Sequence, residues 1–358
     1  MLGRKVKLLG SRHAVGRVFL EQSRSTKFFL ASGLFLLCLI YFRHVSYVRH
    51  VTQETGHKIS HLSHSPEFRE ALSAAELITS KSLFVYMLFV NQGYLHMLQS
   101  WICNLKLVDD RVLQNTIIFT DGPLTSDALL SFNEDLNVYT IEHRTYESVE
   151  YGTYSYYELT LHRLEIQDAF IQAGLNVMLI EADAVWFSSD VHDELHRLFK
   201  EQKYDFISAD NSVDSKVFHE FSAGFSGYRG ESKVVRELFS LYTIDYAVQL
   251  APFAGRQGFI GNVGEQLYLS KLISTRRGLS VKWLDPCNYS SGAWYSNIND
   301  MAYNCPFPLV LQNNYIVGND QKIHRAKLWG HWFLQRVGRS QTCKPVRMFP
   351  TFGLPQPR

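Results

Sequence analysis

Residues Asn176 to Phe187 read NVMLIEADAVWF, and their order is that of a buried strand running into a charged site. Val177, Met178, Leu179 and Ile180 form a short continuous apolar run, the pattern of a strand covered on both faces. Glu181 and Asp183 follow at alternate positions, which on an extended chain point to the same side. In open α/β sheets ligands bind at the carboxyl ends of strands. A lone buried acid there is costly, whereas a carboxylate pair that meets a divalent cation is compensated. Asp183 is therefore the first candidate metal ligand and catalytic residue, and Glu181 the second. The alternatives are a strand-end acid capping a turn for Asp183 and a partner for a nearby Arg for Glu181.

Upstream, the stretch from Tyr156 to Ala173 has the composition of an amphipathic helix, closed by Gly174 where a helix C-terminus favours glycine. Earlier still, strands are expected over Leu83–Val90, Asn115–Asp121 and Val138–Ile141, with helices over Tyr94–Leu107 and Ser126–Phe132. This alternation, with short connections, implies a mostly parallel sheet covered on both faces.

The chain has 358 residues, 46% of them apolar, enough for a substantial core. Its formal charge of +2 hides an asymmetry. Residues 1–27 hold seven Lys/Arg against one acid, which leaves 29 basic and 33 acidic residues for the remainder, a formal charge of −4. A mildly acidic main domain argues against nucleic acid as a partner, because phosphate binding needs a basic face.

The uncharged run Phe28–Phe42, FFLASGLFLLCLIYF, follows the basic stretch directly. Extended to Val48 it reads as a signal anchor, with residues 1–27 as a cytosolic tail by the excess of Lys/Arg before it. A cleaved signal peptide is the alternative; the long basic segment and the lack of a small-x-small site in RHVSYVRH disfavour it. Residues 49–81 are polar and suit a stem, 82–340 the catalytic domain, and 341–358 a C-terminal tail. Beyond Cys38 in the span lie Cys103, Cys287, Cys305 and Cys343, an even number that permits two disulfides in an oxidising compartment. Cys287 with Cys305 is the preferred pair, since each flanks a polar, aromatic loop. That loop also carries one glycosylation sequon, Asn288-Tyr289-Ser290. No C-x-x-C spacing occurs, which disfavours a zinc site.

Four segments, in order, resemble one family. GLNVMLIEADAVWFSSD, Gly174–Asp190, looks like the core motif of the nucleotide-diphospho-sugar transferases, the glycosyltransferase family 77-like group that includes plant cell-wall xylosyl- and arabinosyltransferases. SAGFSGYRGESKVVREL, Ser222–Leu238, resembles its glycine-aromatic strand and following helix. NVGEQLYLSKLI, Asn262–Ile273, resembles its acid-Gln helix start, and PLVLQNNYIVGNDQKIHRAKLWGHWFL, Pro308–Leu334, its C-terminal His-Asn-Asn, glycine and lysine motif. The resemblance covers roughly residues 82–335. It implies a GT-A fold, a Rossmann-like α/β domain with the nucleotide over the N-terminal half and the acceptor over the C-terminal half. It also implies a donor that is a UDP-sugar, a glycan or glycoprotein acceptor, Mn²⁺ or Mg²⁺, and retention of the donor's anomeric configuration. The corresponding expected location is the Golgi or ER membrane, as a single-pass type II protein with the catalytic domain lumenal.

Two positions depart from the family pattern: Glu181 stands where relatives have Asp, and Gln312 where they have a metal-binding His. An amide oxygen is a weaker ligand than imidazole. The candidate metal set is thus Glu181, Asp183 and Gln312. Lys322 and Gly318 are candidates for the donor diphosphate, with a solvated surface lysine as the alternative. Asn91, Gly93 and Tyr94, ending the first strand, are candidates for the nucleotide, although Gly93 also suits a plain turn. Arg163 is a candidate for the phosphates or a partner of Glu181. Glu265 and Gln266 are catalytic candidates facing acceptor or reacting sugar; ordinary helix capping accounts for them almost as well.

No obvious His–carboxylate dyad is visible, which fits a substitution in which the leaving phosphate oxygen takes the acceptor proton. A glycoside hydrolase, the enzymatic rival, needs two carboxylates flanking a sugar several Å apart. Glu181 and Asp183 are too close on one strand for that. The non-enzymatic rival is a catalytically degenerate lumenal scaffold of the same fold, favoured by Glu181 and Gln312.

Overall fold

The apolar runs become strands. In chain order they are β1 (Val85–Val90), β2 (Thr116–Thr120), β3 (Asn137–Thr140), β4 (Val177–Ile180), β5 (Val185–Trp186) and β6 (Phe206–Asp210). There follow β7 (Phe221–Tyr228), β8 (Val281–Trp283), β9 (Tyr289–Ser290), β10 (Val310–Leu311), β11 (Leu334–Val337) and β12 (Ser340–Cys343). The principal helices are α1 (Pro66–Ser82), α2 (Leu95–Val108), α3 (Tyr154–Gln172), α4 (Lys233–Leu250), α5 (Glu265–Thr275) and α6 (Asn319–Leu328).

This computed structural model describes residues 41, 43, 45–51, 53, 65–141, 149–212, 219–261, 263–276, 278–298, 301–338 and 340–345. The chain divides into two units, 1–54 and 55–358. In the first, the described residues are helical. The expected cytosolic tail, most of the expected span 28–48 with Cys38, and the end of the tail from 346 on lie outside the described residues. Among the described residues, no helix is long and apolar enough to cross a membrane.

The second unit is built on a seven-stranded sheet of order β3-β2-β1-β4-β7-β6-β8. β1 to β4 are mutually parallel, and β7 runs antiparallel to both β4 and β6. The expectation of a mostly parallel sheet therefore holds, with one reversed strand. Because successive side chains point to opposite faces, Tyr86, Leu88, Val90, Met178 and Ile180 share a core with Leu98, Trp101 and Ile102 of α2. On the other face Phe170 of α3 makes edge contacts with Phe119 of β2 and with Phe68 of α1.

Three details differ from the sequence reading. Pro66–Ser82, within the polar and weakly helical stretch read as a stem, is a helix capped by the Ser65 side chain, and rather than standing apart it packs on β1, β2 and β3 through its buried Phe68, Ala71, Ala75 and Ile78. Their spacing of three and four residues makes a narrow apolar stripe that average polarity conceals. The long strand expected over Asn176–Phe187 breaks after Ile180: Glu181 to Ala184 turn, with Ala184 N–H donating to the Glu181 carbonyl at 3.2 Å. Finally, residues 340–343, expected largely in a tail, form β12 against β11.

Cys287 and Cys305 are bonded, as expected, and Cys103 of α2 is bonded to Cys343 of β12, 240 residues away. Gly174 takes the left-handed conformation, φ 86°, just past α3, as its C-terminal role requires.

Candidate active site

The carboxyl end of β4 is where distant segments meet. After the turn, β5 pairs antiparallel with β10, so that Val310 faces Trp186 and Leu311 faces Val185. Asn104 of α2 locks this bridge: its amide donates to the Trp186 carbonyl at 2.9 Å and its oxygen accepts the Trp186 N–H at 2.8 Å. Gln312, the residue after β10, is thereby delivered beside the acidic motif.

The turn also corrects an expectation. Glu181 and Asp183 do not sit on one extended face; they face different partners. Asp183 Oδ2 accepts from Lys322 Nζ at 2.5 Å, a pair with side chains 1% and 12% exposed. Asp183 Oδ1 is buried and has no hydrogen-bond partner. Glu181 Oε1 accepts from Arg163 Nη1 at 3.3 Å, and a third of its side chain reaches solvent. Arg163 Nη2 reaches Glu265 Oε1 at 3.2 Å, so one guanidinium joins two carboxylates from two elements.

Gly224 of β7 shows how tightly these groups converge. A Cβ there would lie 2.7 Å from Glu181 Oε2 and 2.8 Å from Gln312 Oε1, both side-chain ends. Gln312 Oε1 also accepts from Ser222 Oγ at 2.9 Å. Ser222 and Gly224 escaped the residue-by-residue reading. Their signal was present in Ser222-Ala223-Gly224, a run of small residues on a fully buried strand.

The expected nucleotide-side residues assemble around Lys322. Asn91 caps the turn after β1 by accepting the Tyr94 N–H at 3.2 Å. Asn319 of α6 donates to the Gly93 carbonyl at 2.9 Å, and Lys322 Nζ lies 3.3 Å from Tyr94 Oη and 5.5 Å from its ring centroid. Gly318, φ 95°, precedes α6. A small cavity of about 20 Å³, room for about one water, is lined by Asp183, Lys322, Asn313 and His331 among others. Arg325, which was not anticipated, ties Asn313 and the Asn314 carbonyl to α6.

Glu265 opens α5 and is buried. Three tyrosine hydroxyls hold the approach to it: Tyr157 donates to the Gly261 carbonyl, Tyr246 to Val263 and Tyr242 to Glu265, at 2.9, 3.3 and 3.1 Å. Gln266 Oε1 accepts from Asn211 Nδ2 at 3.0 Å and the Ala223 N–H at 3.3 Å. Glu265 thus joins the charged cluster directly, and Gln266 joins it through β7.

A His–carboxylate dyad, not seen in the sequence, is formed by Asp210 and His219, with Oδ2 and Nδ1 2.7 Å apart.

Charges in the cluster act on one another. Burial works against the Lys322 ammonium, but the Asp183, Tyr94 and Glu181 oxygens outweigh it and hold its pKa above the usual lysine value. Burial, and then the neighbouring Asp183 charge, push the Glu181 carboxyl up despite Arg163 and Lys322. Among the described residues no three His, Cys, Asp or Glu side chains group as a metal cluster. The oxygen-only set of Asp183 Oδ1, the Glu181 carboxylate and Gln312 Oε1 nonetheless suits a hard divalent cation. The unpartnered buried Oδ1 is the feature that fits it best.

His331 supplies a stability prediction. It is buried, bonded through Nδ1 to Tyr295 Oη at 2.8 Å, and burial lowers its pKa to about 4. The unfolded chain, with an imidazole pKa of about 6.5, binds the proton first, so stability is complete above that value and falls with pH toward 4. Asp168, whose carboxyl burial raises to about 6, acts in the opposite sense over much of the same window. Because that opposing effect is common to both proteins, a His331→Gln chain is expected to lose about 2 to 3 kcal/mol less than wild type between pH 7 and pH 4.5 in urea unfolding.

Residues 126–232, which include Arg163, Glu181 and Asp183, match the model of the nucleotide-diphospho-sugar transferase family. The match covers less than half of the chain, and through this stretch the chain is similar to the nucleotide-diphospho-sugar transferases. No curated protein matches the chain. Among solved structures, the glycosyltransferase GlyE of Streptococcus pneumoniae aligns at 13% identity over 68% of this chain and 59% of its own, with a TM-score of 0.41. The galactosyltransferase LgtC, solved with donor and acceptor sugar analogues, aligns at 10% identity over 64% and 86%, TM-score 0.42. Mouse xyloside xylosyltransferase 1 aligns at 11% identity over 65% and 98%, TM-score 0.39.

Proposed function

We propose that the chain transfers a sugar from a nucleotide-diphosphate donor, a UDP-sugar, to a hydroxyl of a glycan or glycoprotein, on a GT-A domain and with retention at the anomeric carbon. The observation that carries this reading is the meeting of Lys322 with Asp183 at the carboxyl end of β4, beside Asn91 and Tyr94. Two cations, Lys322 and Arg163, stand there among three carboxylates, an arrangement that a diphosphate and a divalent ion can enter by exchange of partners. Asp183, Glu181 and Gln312 would hold Mn²⁺ or Mg²⁺. Such an ion, when bound, neutralises charge developing on the leaving diphosphate. Lys322 adds a point charge on the phosphates, Tyr94 and Asn91 border the nucleotide, and Glu265 and Gln266 border the reacting sugar. The same reading places the catalytic unit in the Golgi or ER lumen behind an anchor at 28–48, which the two disulfides support.

A second reading, a catalytically degenerate binding protein, draws on one observation: each candidate ligand residue already spends one oxygen on a protein partner, Glu181 on Arg163, Asp183 Oδ2 on Lys322 and Gln312 on Ser222. Thermal unfolding of the full chain with UDP-glucose, UDP-galactose, UDP-xylose and GDP-mannose, each with and without Mn²⁺, separates them. Transfer predicts that one donor stabilises by about 3 kcal/mol at a hundredfold excess over its dissociation constant, that the gain needs Mn²⁺, and that this donor is slowly hydrolysed. Stabilisation without any hydrolysis supports the binding protein, and no stabilisation by any nucleotide sugar sinks both.

A further inference from the structure

The sequon Asn288-Tyr289-Ser290, the one such triplet in the chain, runs into β9. In the fold the backbone of all three residues is tied down. Asn288 closes a turn: its N–H and that of Tyr289 both donate to the Asp285 carbonyl, at 3.0 and 2.8 Å, and its own carbonyl accepts from Leu309 and Val310 at 2.8 and 2.9 Å. The Tyr289 ring is buried against Phe225, and its hydroxyl donates to Glu194 Oε2 at 2.6 Å. Ser290 is fully buried. Its Oγ donates to the Pro286 carbonyl at 2.8 Å, and its carbonyl takes the Gln312 N–H at 2.9 Å. Cys287, the residue before the sequon, is bonded to Cys305.

The Asn288 side chain is the exception. It is half-buried, and among the described residues its amide makes no hydrogen bond. Close to it stands an aromatic that the core does not use: Phe307 is 71% exposed and lies two residues before Leu309, whose N–H the Asn288 carbonyl holds. Two residues of chain span about 7 Å at most, which keeps Phe307 within reach of the first sugars of a chain attached at Asn288. Sugar rings have an apolar face that packs on an aromatic ring, so a glycan here would cover Phe307 and leave its hydroxyls in water.

We propose that Asn288 carries an N-linked oligosaccharide, that its first sugars cover Phe307, and that it is attached only before β9 pairs with β10. The inference rests on the lumenal placement in the reading above and on none of its catalytic steps. Asn288 Nδ2 forms a bond to the anomeric carbon of an oligosaccharide carried on a lipid diphosphate, as the bond from that carbon to the diphosphate oxygen breaks. The bonding pair leaves with the diphosphate, and one amide proton passes to the transferring enzyme. The serine is part of what that enzyme recognises, so it must reach Oγ as well as the amide. In the folded chain Oγ is shut away, and exposing it means undoing the β9–β10 pairing that positions Gln312. Glycan attachment therefore competes with folding of this wall of the site.

The full chain is translated with rough microsomes and treated with a glycosidase that cleaves N-linked chains. Wild type should show one glycosidase-sensitive mobility step, and Asn288→Gln and Ser290→Ala none. An unmodified wild-type chain overturns the proposal. If protease added outside the vesicles also digests its body, the lumenal placement falls with it; a protected chain without a glycan leaves that placement standing. For the order of events, full chain made without glycans is offered to solubilised oligosaccharyl transferase and its lipid-diphosphate oligosaccharide, either folded or reduced, alkylated and unfolded. The folded chain should be modified at least about 100-fold more slowly, because Oγ is exposed only by opening of the sheet. Equal rates overturn the proposal. In urea unfolding of glycosylated protein, losing the glycan through Asn288→Gln or Ser290→Ala should lower the midpoint when Phe307 is present and change it little in Phe307→Ala. Equal shifts in both backgrounds overturn the packing on Phe307.

Discussion

An Asp183→Asn chain is expected to lose transfer by 100-fold to 1,000-fold or more, the scale on which removing one electrostatic group at a reacting centre is felt. It is also expected to be less stable. The Lys322 ammonium, 12% exposed, would keep a hydrogen-bond acceptor but lose its countercharge. Breaking a buried pair from one side costs about 3 to 5 kcal/mol, because the remaining charge stays desolvated. The two effects come apart in the double variant. Adding Lys322→Met should return most of the stability while activity stays lost; recovery of both, or stability unmoved by Asp183→Asn, would show that the pair is not what holds these residues. Turnover and denaturant midpoints measured on wild type, Asp183→Asn, Lys322→Met and the double variant decide it.

The second large effect is expected at Arg163. Its guanidinium, on α3, serves at once Glu181 in the turn after β4 and Glu265 at the start of α5. Arg163→Met would leave two carboxylates with no countercharge between them. A loss of about 3 to 5 kcal/mol follows, together with a Glu181 carboxyl pushed further upward. Arg163→Lys should recover only part of this, because a single ammonium lacks the fork that spans two acids. Full recovery by lysine in urea unfolding would mean that charge alone, and not the two-armed geometry, is what matters.

Much of the sheet could be read in advance because its strands are apolar on consecutive positions, Val177–Ile180 above all, and because Gly174 marks the end of α3. The direction of β7 could not. FSAGFSGY is equally buried whichever way it runs, and burial pattern carries no sign. Among site residues, Asp183 and Glu181 were visible from their place after a buried strand, and Lys322 and Gln312 through a resemblance. Their mutual arrangement was not, since Glu181–Ala184 alternates like a strand and yet turns. The link from Arg163 to Glu265 spans 102 positions, and nothing periodic connects them. The Asp210–His219 dyad was hidden differently. Its members are nine residues apart in a stretch without regular spacing, brought together by the reversal between β6 and β7.

The bond between Cys103 and Cys343 has a consequence for how the molecule comes into being. One of its ends lies early in the catalytic unit, and the other follows every segment that supplies Gln312, Lys322 and Arg325. During synthesis the crevice at the tip of β4 must wait, half-walled, until Cys343 emerges and is stapled back to Cys103. A chain released early, or made where thiols stay reduced, would keep its sheet and still lack that fastening of its final wall.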